Sequence, residues 1–150
     1  MYISRQHRHR TSQTLLIATA LAGVLVSLCA TASAGQEPKT QLYVCIAGSD
    51  HASEIAGLAL CDADPTETLT ARAEVDNLQV RAGALVSSIE TRGIAGLGGL
   101  AVGDVIYRVG GTDVDDADTA AQQLDMVGSA ADTVVNFLRL GLPNQIKLRR

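Results

Sequence analysis

The sequence predicts an α+β fold, a partly open barrel or sandwich of about six short strands with two helices. Three observations predict it. Short runs of strand-forming residues recur with glycine, proline, asparagine or aspartate between them. Only one stretch, Asp115 to Val127, reads as a convincing helix, with Ala117, Ala120, Ala121 and Leu124 spaced along a single helical face. A composition of 47% apolar and 19% charged residues over 150 positions suits one packed core and excludes a disordered chain.

The chain opens with a segment to be set apart from the fold. Arg5, Arg8 and Arg10 make a basic start, Leu15 to Leu28 is apolar, and Ala32-Ser33-Ala34 follows the A-x-A pattern that signal peptidase accepts. Residues 1–34 therefore read as a signal peptide, which places the remainder in the periplasm or outside the cell. The competing reading is an uncleaved inner-membrane anchor, since no charge falls between Arg10 and Glu37. Setting aside those three arginines leaves 9 basic residues against 16 acidic ones. That balance argues against nucleic acid and against anionic lipid, because phosphate recognition needs clustered Lys and Arg.

Residues 35–53 read as a polar tail with one extra strand at Leu42 to Ile46, followed by loop composition from Gly48 to Ser53. A strand is expected at Ile55 to Leu60 and a short helix over Thr66 to Ala73, with Pro65 at its start. Further strands follow at Ala84 to Ile89 and Asp104 to Val109, with a small glycine-interrupted apolar turn at Ile94 to Leu97. Gly110-Gly111 supplies a tight hairpin, and Asp115 or Asp116 caps the helix. Thr133 to Leu140 and Gln145 to Leu148 close the chain around a turn at Pro143-Asn144.

Cys45 and Cys61 remain once Cys29 goes with the leader. They are a disulfide candidate in an exported chain, or else two buried thiols. A metal site is disfavoured: there is no C-x-x-C, and His51 is the single histidine left.

Gly83-Ala84-Leu85-Val86-Ser87-Ser88-Ile89, followed after a gap by Gly99-Leu100-Ala101-Val102-Gly103-Asp104-Val105-Ile106, resembles the PDZ domains of bacterial HtrA/Deg proteases, in particular their last repeat. The likeness runs from about Glu54 to Arg150, so residues 54–150 are expected to form the PDZ-like domain without the protease domain. The resemblance implies a non-enzymatic module that captures extended segments of envelope or secreted proteins by strand addition. It assigns Gly57, Leu58, Ala59 and Leu60 to the binding loop and strand, and Ala120 and Leu124 to an apolar pocket wall on the helix.

Two departures bear on this. Ile94 stands where the family often has a proline. The loop before Gly57 carries Asp50 and Glu54 in place of a cation, which predicts a preference for internal or basic segments over acidic C-termini.

Other motifs have plainer explanations. Ser49-Asp50-His51 are loop neighbours that cannot converge as a triad. Asp113 to Asp118 lacks the glycine and glutamate of a calcium loop and suits helix capping. Gly96 to Gly99 lacks G-K-[ST] and punctuates a turn. No cofactor is expected. A bridge between Cys45 and Cys61 would bring the strand at Leu42 to Ile46 onto the edge a ligand needs, predicting a self-occupied groove as one alternative. The others are an anchored structural subunit like the C component of type II secretion, and a degenerate Deg relative.

Overall fold

The computed structural model describes residues 41–126 and 132–149. The expected signal peptide and the tail to residue 40 lie outside the described residues. In chain order the elements are β1 (Tyr43–Cys45), β2 (His51–Ser53), β3 (Leu58–Pro65), α1 (Glu67–Arg72), β4 (Ala84–Ile89), α2 (Ile94–Gly98), β5 (Val105–Val109), β6 (Thr112–Asp113), α3 (Ala117–Asp125), β7 (Thr133–Arg139) and β8 (Leu142–Leu148). All pairings are antiparallel, in the order β1-β3-β4-β5-β7-β8, with β2 also on β3 and β6 also on β5. The expected α+β class stands as an open antiparallel sheet.

Strand periodicity gives this sheet two buried faces. Leu60, Ala84, Val86, Ile106 and Phe137 point into one cluster, which α3 covers with Ala117, Ala120, Ala121 and Leu124. Their chain neighbours Cys61, Leu85, Val105 and Leu138 point the other way, into a second cluster closed by Tyr43 of β1 with Leu42 before it and by Leu69 of α1. Two bulges reset the alternation. The β3–β4 register shifts at Ser87, so Val86 and Ile89 both face the first cluster, and the β5–β7 register shifts at Tyr107, so Ile106 and Val109 do the same.

Caps and turns fix the ends. Asp116 caps α3, its Oδ1 accepting from the Thr119 amide at 2.7 Å, and Thr66 does the same for α1 through the Leu69 amide. Asp104 is buried but paired: it accepts from the Ala101 amide and from the Arg139 guanidinium at 2.7 and 2.8 Å. At Gly83, φ is +156° and a Cβ would collide with the Ile106 carbonyl oxygen, so only glycine fits where β4 meets β5.

Several elements differ from expectation. The segment read as loop, Gly48 to Ser53, contains β2. The apolar turn at Ile94 is a short helix, so the described residues hold three helices and eight strands. The last turn is Leu140-Gly141, with φ of +53° and +76°, rather than Pro143-Asn144. That two-residue type I′ geometry makes Arg139 and Leu142 a hydrogen-bonded pair, so Pro143 lies at an outward position, where its missing N–H breaks no ladder bond.

Candidate functional site

The segment expected to bind, Gly57 to Leu60, forms the turn into β3 and the first half of that strand, which packs against α3. Leu58, Leu60, Ala120 and Leu124 pack in one cluster, fully or almost fully buried. Ala59 alternates to the other side and is half-buried. Gly57 has φ +71°, the left-handed conformation that turns the chain into β3, and a Cβ there would approach the Gly93 Cα to 3.2 Å. Its carbonyl accepts from the Glu90 amide at 2.8 Å, which ties the turn to the end of β4.

The outer edge of β3 is not vacant. Leu58, Ala59 and Leu60 pair with β4 on one side and with Ser53, Ala52 and His51 of β2 on the other. Further along, the Asp62 carbonyl accepts from the Ile46 amide at 3.0 Å, and the Asp62 amide donates to Ser49 Oγ at 2.8 Å. Ala63, Asp64 and Pro65 pair with β1. One border of the sheet is thus lined by residues 43–53 of the same chain. The segment expected to occupy the edge, Leu42 to Ile46, takes the far end. Residues 51–53, read as loop, take the part beside α3.

Side chains of α3 hold β2 in place. Ser53 Oγ donates to Asp125 Oδ1 at 2.6 Å, and the same carboxylate oxygen lies 3.4 Å from the Ile55 amide. His51 Nδ1 lies 3.5 Å from Asp118 Oδ1, with both side chains substantially exposed. The turn amides are engaged as well: Ala56 N–H donates to Ser53 Oγ at 3.1 Å and Gly57 N–H to the Ser53 carbonyl at 2.9 Å. β2 runs antiparallel to β3 with its C-terminal end entering the Gly57 turn, the direction in which an added strand would lie. Asp62 contributes a bond no motif announced, its Oδ1 accepting from the Ala117 amide at 2.7 Å and fixing the start of α3 against β3. Asp50 and Glu54 are exposed.

Cys45 and Cys61 form a disulfide with Cα atoms 5.4 Å apart, joining β1 to the middle of β3. Such a bridge fits an oxidising, extracytoplasmic location. Cys45 is exposed, whereas Cys61 is completely buried in the second cluster. Burial also pushes the Tyr43 phenol above its usual range, opposed by its hydrogen bond from the Arg81 amide.

Among known proteins, the family model described as the PDZ domain matches residues 68–136. No curated protein matches the chain. Several solved structures resemble it, including the following two. An HtrA-type protease, AlgW with a decapeptide, is 25% identical with a TM-score of 0.47, over 62% of this chain and 27% of its own. The HtrA3 PDZ domain bound to a phage-derived ligand (FGRWV) is 16% identical with a TM-score of 0.48, over 61% of this chain and 80% of its own. The chain spans about a quarter of the AlgW protease, and no protease domain is evident in its 150 residues. The match from residue 68 to residue 136 takes in β4, α2, β5, β6 and α3 with the first part of β7, including the neighbour of β3 in the sheet and the helix that faces it; residues 68–136 thus match the PDZ domain, a non-catalytic binding module.

Proposed function

We propose that this PDZ domain captures extended polypeptide segments by strand exchange, an incoming segment replacing β2 between β3 and α3. The observation that carries the reading is β2 itself: an antiparallel tripeptide already seated against Leu58–Leu60, its end in the Gly57 turn. A strand held by three residue pairs and polar contacts, with only Ser53 buried, lies at the low-stability end of a structure. The cost to a ligand is the fraction of time β2 is away. If closure is favoured by about 2 kcal/mol, the apparent Kd rises about thirtyfold over that of the open groove.

Partners of this chemistry are extended segments of envelope or secreted proteins, met after export to the periplasm. Gly57, Leu58, Ala59 and Leu60 supply the main-chain edge, and Ala120 and Leu124 the apolar wall. Asp118 and Asp125 on α3, with Asp50 and Glu54 nearby in sequence, favour internal or basic segments over free acidic C-termini.

The test is fluorescence anisotropy of the full chain with a labelled peptide copying residues 47–54. His51→Glu, which sets a carboxylate beside Asp118, should loosen β2 and lower the Kd about tenfold. No binding by either protein would sink the reading. It would favour a second one, to which the filled edge also lends support: a structural subunit of an envelope assembly whose groove never opens.

A further inference from the structure

We infer that the Cys45–Cys61 disulfide is a redox latch on this groove, so that reduction of the bridge, rather than a ligand alone, sets how readily β2 leaves β3. The inference rests on the strand-exchange reading and adds its regulation.

The covalent ring closed by the bridge, with a sequence separation of 16, contains β2, the turn at residues 54–57 and the Leu58–Leu60 edge together. The occupant is therefore tethered at both ends: by the short turn into β3 and by the sulfur bridge onto β3. Between these tethers it is held by main-chain pairing and polar contacts rather than by apolar burial. Ile46, Ala47, Gly48, Asp50, His51 and Ala52 are all exposed, and their neighbours Ser49 and Ser53 act through hydroxyl hydrogen bonds. A segment without apolar anchors depends on its tethers, because they set the effective concentration of the strand at the edge.

β1 is anchored differently. Leu42 and Tyr43 are buried, and the Tyr43 hydroxyl donates to the Gln79 carbonyl at 3.2 Å and accepts from the Arg81 amide at 3.1 Å. Opening the bridge thus frees residues 45–53 while the second cluster stays covered. The core is prepared for the reduced state too: the Leu85 carbonyl oxygen lies 3.7 Å from Cys61 Sγ, an acceptor for the thiol hydrogen that appears on reduction.

The chemistry is thiol–disulfide exchange with a dithiol. Its thiolate attacks the sulfur of exposed Cys45, the S–S bond breaks, and Cys61 leaves as a thiolate that takes up a proton. The reagent's second thiol then displaces Cys45 as the other thiol. The protein gains two electrons and two protons, and the dithiol ends as its own disulfide.

Anisotropy with the labelled 47–54 peptide tests the latch on the full chain, oxidised or treated with dithiothreitol, and on Cys45→Ser, which opens the bridge and leaves buried Cys61 in place. Reduction should lower the Kd of the natural sequence about tenfold, and Cys45→Ser should bind with that lower Kd whether or not reductant is present. Circular dichroism on the same samples should show the fold intact. Equal affinity in both redox states overturns the latch and leaves strand exchange standing. A dithiothreitol effect that persists in Cys45→Ser, or a gain that accompanies unfolding, also overturns it. Failure to bind in every state, His51→Glu included, overturns the exchange reading and the latch with it.

Discussion

Tyr43 shows how one side chain joins the edge strand to the rest of the domain. Its ring is buried in the second cluster and its hydroxyl bridges two backbone groups, at Gln79 and Arg81. Desolvation disfavours the phenolate and raises the ionisation above the ordinary value near 10. A raised folded pKa contributes stability that is complete below the unfolded value and is lost as pH climbs through the folded one. Tyrosinate absorbance from pH 8 to 12 should therefore contain a late component that Tyr43→Phe removes. A difference titration centred at the ordinary phenol value would contradict the burial argument. The signal for this anchor was thin in the sequence, where Tyr43 was one member of a short apolar run. The long-range partners of its hydroxyl, 36 and 38 residues away, carry no local mark.

At the scale of elements, α3 was readable in advance because three kinds of signal agreed: apolar spacing, an aspartate at its start and carboxylates in its first turn. Asp116→Ala removes the cap on the Thr119 amide and should cost about 1 kcal/mol in urea unfolding. A loss several times larger would mean that Asp62, on the neighbouring Ala117 amide, depends on the same geometry. β4 and β5 were legible for similar reasons, since glycine positions and apolar runs agree there, whereas the glycine-interrupted segment between them, expected as a turn, is the helix α2. β2 was not. His51-Ala52-Ser53 has neither β-branched residues nor an apolar alternation, and it becomes a strand because β3 offers an edge and α3 offers Asp118 and Asp125. The bulges at Ser87 and Tyr107 were equally hidden, because a register shift is set by the partner strand. The edge expected at Gly57 to Leu60 carries β2, which no local signal in residues 51–53 announced.

For the molecule as a whole, the bridge has a second effect besides its local one. Closing a ring of this size restricts the unfolded chain, which in the chain-entropy model is worth roughly 3 kcal/mol. Unfolding free energies from urea titrations of the oxidised and reduced forms should differ by about that amount, with reduction lowering the midpoint. Coincident midpoints would place the unfolded-chain restriction near zero and leave only the local tether.

Pro143 has a consequence that reaches beyond the single chain. β8 ends the sheet opposite β1, and a proline at one of its outward positions removes an amide proton from that border, while the chain itself lines the other. Among the described residues, the β8 margin is therefore interrupted at Pro143. A copy of the chain pairing along β8 would lack one main-chain hydrogen bond at Pro143.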